Sequence, residues 1–472
     1  MLSKLFRTQK PTVPSPASAD SPTMTAPYDG PVDLFFEGAT LVTVNDADDI
    51  ITDGAIAVAD GAIVAIGLAS EFAALRDRAV THVDSAGKMI MPGLINTHCH
   101  AGDSLFRGLV EGLALEPWLE KLWIAESGTL DPARTRLGSL LGYAENVMGG
   151  VTTVMDMFWH PDQLVAAAAN IGIRVATGPI FFDPPGIDGL QHTDREKAAR
   201  AFFEAFDSHD HLIRTICAHG AYTVSAENLT VAQMIQEEAR ALLTIHAAET
   251  RAEQQTVMDQ YGRSVINHLD ELGLLTPKTV LAHCVHVDDE EMAIIARSGA
   301  SVSHNPASNL KLGSGIAPIP ALIDKGALVA LGTDGAVSGN DLDMWKSIRL
   351  AATLHNGANE NPSAVSALEA IRMATINGAR ALGIDGETGS LVTGKRADLI
   401  VLDPDQVHAV PVFDPLHYLA YSASHQDVRD VYAAGQPLMK DRVLTKIDFG
   451  ELLAEVKALI PHIRQTLEGS TS

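Results

Sequence analysis

Cysteine is almost missing from this chain: 472 residues include only Cys99, Cys217 and Cys284. An odd count with no C-x-x-C pair excludes a disulfide scaffold and predicts a reducing, cytoplasmic setting. No apolar run approaches the roughly 18 residues that cross a bilayer, so the 46% hydrophobic content predicts a soluble globular protein, not a membrane one. Positive charge is scarce as well. Lys and Arg number 34 against 59 Asp and Glu, a formal charge of −25. Such a balance repels phosphate backbones, which argues against nucleic acid and for a small-molecule substrate, although most of it is accounted for by a solvated acidic surface. The opening stretch "MLSKLFRTQKPTVPSPASADSPTMTAPYDG" lacks the apolar core of a secretory signal, and residues 1–30 read as a disordered leader. Beyond that leader there is no low-complexity tract and no short solenoid repeat.

The length suits one large catalytic domain with a smaller companion, the size range of a (β/α)8 barrel with additions. "VDLFFEGATLVTVND" and "GAIAVADGAIVAIG" are short β-type runs with Gly and Asp turns, predicting an antiparallel layer over 31–90. From there to about residue 390, eight apolar β-rich runs alternate with helical stretches: "KMIMPGLINTHCH", "GVTTVMDMFW", "IRVATGPIFF", "IRTICAHGAYT", "LLTIHAAET", "TVLAHCVHV", "GASVSHNPAS" and "LVALGTDGA". That alternation predicts an α/β fold, a (β/α)8 TIM barrel over 91–390. "GSLVTGKRADLIVLD" and "VRDVYAAGQPLMK" return to short strands over 391–445 and are expected to complete the first layer, before a packing helix over 446–472.

Residues at the carboxyl ends of barrel strands face the active site. Those ends carry His98 and His100, then His219, His246, Glu249, His283, His304 and Asp334. On a strand, His98 and His100 project to one face while Cys99 points away. One buried histidine is ordinary, but this many at equivalent ends is a metal-site pattern. Three imidazoles and one carboxylate with an open position describe a catalytic site, and His98, His100, His246 and Asp334 are the candidate ligands. The expected cofactor is one divalent ion, Zn2+ first, with Fe2+, Co2+ and Mn2+ also suited to these donors. A bound ion lowers the pKa of its water to about 7, making hydrolysis the default chemistry. Glu249, three residues after His246, is placed to pass a proton to the substrate, His283 to hydrogen-bond a developing oxyanion, and Asp334 to accept the proton of water. "TICAHGAYT" has no Lys for a bridged second ion, and no P-C-x-x-C run suggests the small zinc deaminases.

"MPGLINTHCH", "TIHAAET", "LAHCVH", "SHNPASNLKLGSGIAP", "LGTDGAVSGNDLDMW" and "GKRADLIVLD" together resemble the amidohydrolase superfamily. The resemblance runs from about residue 33 to 440 and is closest to the aminohydrolase branch that contains methylthioadenosine and S-adenosylhomocysteine deaminases, chlorotriazine hydrolases and guanine-type deaminases. It implies a distorted barrel with one metal, a small composite β-sandwich domain from both chain ends, and a homo-oligomer. By motif, His98, His100, His246 and Asp334 match the family's metal ligands and Glu249 and His283 its proton-handling pair. Trp118 matches an aromatic near the substrate, and Glu126 a carboxylate for ribose hydroxyls, across a one-residue gap because "LWIAE" lacks the usual proline. His219 matches the histidine of the family's "PHSPYT" run, and Ser338 follows Asp334 at the family's spacing. Trp118 as plain core and Glu126 as a surface charge are the alternatives, and His286 and His304 have no assigned part.

The resemblance implies a hydrolytic deaminase of an amino-substituted N-heterocycle, releasing ammonia from a 5′-modified adenosine. Arginines that suit an amino-acid carboxylate are expected after the third strand, but Gly178 stands where one would fall, with Arg195 further along. A substrate without a carboxylate, such as 5′-methylthioadenosine, is therefore favoured over S-adenosylhomocysteine. Two rivals remain: the same site displacing chloride or an alkylamine from an s-triazine or cleaving an amide or urea-type bond, and a non-catalytic scaffold. The ligand set with Glu249 argues against the scaffold.

Overall fold

The computed structural model describes residues 28–468, so the expected leader lies outside the described residues as far as residue 27. A nine-stranded sheet draws strands from both chain ends. Val32–Val42 pairs antiparallel with Ile50–Ala59, which pairs with Ala62–Leu68 across Asp60 and Gly61. Both turn residues have positive φ, the conformation that an Asp-Gly hairpin turn supplies at little strain. On its other side Val32–Val42 runs parallel to Ala79–Asp84 and then to Met89–Pro92. Met89–Pro92 passes the sheet to Leu399–Leu402, Val428–Ala433 and Gln436–Lys440, so the C-terminal strands complete the N-terminal layer. Adjacent side chains of a strand face opposite ways, and Phe35 and Phe36 accordingly bury into two separate clusters. Phe36 meets Tyr432 edge to face at 5.2 Å, pinning the chain ends together.

The barrel follows the expected order. Leu94–His100, Val151–Asp156, Arg174–Thr177, Leu212–Gly220, Leu242–Ala247, Thr279–His283, Ser301–His304 and Leu328–Leu331 pair in parallel, each with the next. Most are buried along their whole length, as parallel strands covered on both faces must be. Three of the runs that read as single strands are broken, the first at Gly93, which separates Met89–Pro92 of the other sheet from Leu94–His100. The eighth changes partner at Gly332 and Thr333: its first half pairs with the seventh strand, and Asp334–Gly335 pairs with the first. That switch closes the ring and delivers Asp334 beside Cys99. The third breaks at Gly178 and Pro179, after which Ile180–Phe181 pairs with the fourth strand. A Cβ on Gly178 would lie 1.9 Å from the Thr215 carbonyl oxygen, so the crossing tolerates no side chain.

Side-chain caps restart the chain just beyond the strand ends. Ser225, Thr250 and Asp288 accept from the first turns of Ala226–Ala239, Arg251–Tyr261 and Asp289–Ser298, each satisfying amides that a helix start leaves unpaired. Over the barrel mouth lies the helix Leu115–Thr129, with Phe449–Glu468 packed on its outer side. Ile463 joins Trp118 and Leu122 in one buried cluster, and His462 Nε2–H donates to the Gly128 carbonyl at 3.1 Å. Among the described residues no helix is long and apolar enough to cross a membrane.

Candidate metal centre and active site

His98, His100, His246 and Asp334 meet at one point, their ligating atoms all within 4.8 Å of one another. His98 and His100 project from the same face of the first strand, with ring centroids 4.8 Å apart. Asp334 Oδ1 lies 3.4 Å from His98 Nε2 and 3.1 Å from His100 Nε2. The remaining contacts set the tautomers. His100 Nδ1–H donates to the Met157 carbonyl at 2.6 Å and His246 Nδ1–H to the His219 carbonyl at 2.5 Å. The two Nε2 atoms, the ring positions that remain for a ligand, thereby face each other 3.2 Å apart.

The donors fit a divalent cation. His98 is fully buried, and neither ring nitrogen finds a hydrogen-bond partner. Each such unpartnered group costs about 1–3 kcal/mol, large against a whole-protein stability of about 5–15 kcal/mol; a cation on Nε2 removes part of that penalty. Burial lowers the His98 pKa to about 4 and takes His246 well below its ordinary range, so both are neutral donors. Asp334 is held ionised well below the usual carboxylate range: burial opposes this, but the His100 and His98 imidazoles beside its Oδ1 prevail. The same pairing, again against burial, lifts His100 to about 10. The four groups are thus arranged around a place for positive charge.

Glu249 and His283 stand beside this cluster. His283 Nε2 lies 3.6 Å from Glu249 Oε2, and its Nδ1–H donates to Asn309 Oδ1 at 2.8 Å. Ser314 Oγ donates to Glu249 Oε1 at 3.0 Å, and Glu253 Oε2 accepts from the Glu249 amide at 2.7 Å. Burial, and then the Asp334 charge, raise the Glu249 pKa, favouring the protonated acid. Ala248, His283 and Asp334 all have positive φ; non-glycine residues in that region carry strain of about 1–3 kcal/mol and here turn the chain sharply at three strand ends.

A cavity open to solvent at its mouth rises from the cluster. Trp118, Glu126, His219 and Ser338 all line it. Trp118 is both core and wall: it is buried, and its Nε1–H donates to the Val110 carbonyl at 3.2 Å. Glu126 is 3% exposed, which overturns the surface alternative, and burial followed by the Asp103 charge pushes its pKa to about 8. His219 shares a hydrogen bond with Thr223 at 2.8 Å, and burial takes its pKa to about 3. His286 and His304 bond elsewhere, to the Ser314 carbonyl at 2.8 Å and to His355 at 3.0 Å. Arg195 does not reach the cavity: its guanidinium pairs with Asp188 through two nitrogens, one at 3.1 Å, and bonds the Leu190 carbonyl at 3.3 Å.

Several contributors escape a reading of motifs. Asp103 lines the cavity, its Oδ1 accepting from the Ala336 amide at 2.9 Å, and burial raises its pKa to about 7. Ser308 Oγ donates to Asp334 Oδ2 at 2.6 Å. Asp103 sits three residues beyond His100, and Ser308, Asn309 and Ser314 fall within "SHNPASNLKLGSGIAP"; small polar residues crowded after a buried strand were the available signal. The walls Trp123, Phe158 and Trp159 carried none.

Residues 89–438 match the model of the amidohydrolase family. A 5-methylthioadenosine/S-adenosylhomocysteine deaminase of Syntrophobacter fumaroxidans is 37% identical, the match covering 92% of this chain and 98% of that protein. A 5′-deoxyadenosine deaminase of Methanosarcina acetivorans is also 37% identical, over 90% and 97%. An adenosine deaminase from Xanthomonas campestris, solved with bound zinc, superposes with a TM-score of 0.89 at 31% identity, over 92% of this chain and 99% of that one. An atrazine chlorohydrolase from Arthrobacter aurescens TC1, complexed with zinc, gives 0.84 at 25%, over 91% and 100%.

Proposed function

Since the chain belongs to the amidohydrolase family, we propose that it is a metal-dependent hydrolytic deaminase that releases ammonia from adenine C6 of a 5′-modified adenosine. The observation that carries this is the buried meeting of His98, His100, His246 and Asp334 beside the Glu249–His283 pair, at the floor of an aromatic-walled cavity. The likeness to the named deaminases, at 37% identity, favours a purine nucleoside over the s-triazine of the more distant chlorohydrolase.

In this proposal His98, His100, His246 and Asp334 hold one ion, zinc in the first place, as in the zinc-bound neighbours. Such an ion supplies a water whose pKa is lowered from ~15.7 to about 7. Asp334 takes a proton from the attacking water as it adds to C6. Glu249, whose pKa burial raises, gives its proton to the ring nitrogen and takes one back from the C6 hydroxyl as the intermediate collapses. His283, its ring fixed by Asn309, hydrogen-bonds the oxygen that forms at C6. Collapse then breaks the C–N bond, the proton held by Asp334 passing to the departing amine, so that the oxo product and ammonia leave. Trp118 and His219 hold the base and sugar, Glu126 accepts from the ribose hydroxyls, and Ser338 borders the reacting edge.

Ammonia release from the metal-replete protein, offered 5′-methylthioadenosine, adenosine, guanine and an aminotriazine at equal concentration, tests the proposal. Turnover of the adenosines is expected; chloride or alkylamine release from triazines with no ammonia from any purine would overturn it. We propose in addition a cytoplasmic homo-oligomer that binds no nucleic acid, checked by light scattering and electrophoretic mobility shift. The division at 31–90, 91–390, 391–445 and 446–472 belongs to the same proposal, with limited proteolysis as its check.

A further inference from the structure

The ligand cluster is assembled across a gap in the barrel. The eighth strand last pairs with the seventh at Leu331, opposite His304, and first pairs with the first strand at Asp334, opposite Cys99. Gly332 and Thr333 lie between, outside either ladder, and the pairing that resumes spans only Asp334 and Gly335. A Cβ on Gly332 would lie 2.4 Å from Asn305 Oδ1 and 2.9 Å from the His98 Cβ, so the crossing is pressed against the neighbouring strand ends. The first strand is irregular at the same level. Its register with the second strand shifts between Asn96 and Cys99, the stretch that contains His98.

One side chain spans both irregularities. Asn96 is fully buried, and its carboxamide uses every hydrogen-bonding position it has, two acceptor and two donor. Oδ1 accepts from the Thr333 amide at 3.1 Å and from the His98 amide at 3.4 Å. Nδ2–H donates to Thr333 Oγ1 at 2.8 Å and to Asn146 Oδ1 at 3.1 Å. Asn146 donates in turn to the Gly142 carbonyl at 2.9 Å, which anchors the group on the helix Pro132–Met148. Thr333 Oγ1–H continues to the Asp334 carbonyl at 3.0 Å, and the Thr333 amide is shared with the His98 carbonyl at 3.2 Å.

We infer that Asn96 and Thr333 are positioning residues of the metal centre: the Asn96 carboxamide sets the first-strand imidazoles against the Asp334 carboxylate. The inference rests on the metal-dependent reading proposed above and extends it to side chains that the ligand set does not include. Between other strands of the ring the backbone ladder fixes such spacing; at the crossing the side chains of Asn96 and Thr333 take its place. Hydrogen bonds of this outer kind are worth about 10–100-fold in metal affinity or activity.

Two readouts test this: the zinc affinity of the metal-free protein, by competition with a chromophoric chelator, and the visible spectrum of the cobalt-loaded protein. Thr333→Val keeps the shape and removes the hydroxyl through which Asn96 reaches Asp334. It is expected to weaken zinc binding about 10–100-fold, to alter the cobalt spectrum, and to lower kcat for 5′-methylthioadenosine with KM unchanged. Thr333→Ser, which keeps the hydroxyl, should retain the parental affinity and spectrum. Asn96→Ala should weaken zinc binding at least as much as Thr333→Val, and the double variant should lose less than the two losses combined, because both remove one bond. Circular dichroism checks folding, and the Thr333 pair decides if Asn96→Ala does not fold. A folded Thr333→Val with parental zinc affinity and cobalt spectrum would overturn the inference and leave the metal centre standing. A parent that binds no zinc would bring down the metal centre and this inference with it.

Discussion

Glu249 and His246 lie three residues apart on one strand end, yet the proposal gives them separable parts. His246 offers Nε2 to the cluster, whereas Glu249 is held away from it by Ser314 and the amide that Glu253 accepts. His246→Ala should therefore lose bound metal and activity together. Glu249→Gln should keep one ion per chain and lose activity by about 10²–10⁴-fold; elemental analysis beside ammonia release checks both, and equal metal loss would refute the assignment. The clustering of these side chains was legible because the i, i+2 pairing of His98 and His100 and the strand-end histidines are local patterns. Asp103 was not, because its importance comes from the Ala336 amide more than two hundred residues away.

Individual elements carry two further tests. The bend between the third and fourth strands depends on Gly178, and Gly178→Ala must push the Thr215 backbone aside. A loss of about 1–3 kcal/mol is expected, read as a lowered thermal midpoint. The helix Arg251–Tyr261 opens with Thr250 as its cap and Glu253 in its first turn. Burial raises the Glu253 pKa from its ordinary 4.5 to about 8, so between those values the unfolded chain has released a proton that the fold retains. Stability from this residue is thus fully present below about pH 4.5 and is lost as pH rises through about 8. Glu253→Gln keeps an acceptor for the Glu249 amide and should cancel that loss. Its thermal midpoint relative to the parent should rise between pH 5 and pH 8, by an equivalent on the order of 3 kcal/mol; parallel profiles would disprove it. Strand order was readable from alternating runs, but the breaks at Gly178 and Gly332 were not, since both are set by the neighbouring strand and not by the run itself.

At the scale of the whole molecule, the last helix bears on the site without touching it. Ile463 is 4% exposed against Leu115–Thr129, the helix that brings Trp118, Trp123 and Glu126 to the cavity. Ile463→Ala should cost about 2–5 kcal/mol and raise KM while metal content stays unchanged; an unaltered KM would separate the two helices functionally. By itself the sequence determined the α/β class, the order of the barrel strands, the joining of both ends in one β-layer and the cluster of strand-end histidines. These follow from periodicity and from residue types that recur at equivalent positions. Only the tertiary structure decided that the eighth strand closes the ring through Asp334, that Glu126 is buried, that Asp103 joins the cavity and that Arg195 is spent on Asp188. Each of those depends on which distant group desolvates or neutralises a side chain, and that is settled by packing between segments, not by any pattern along one of them.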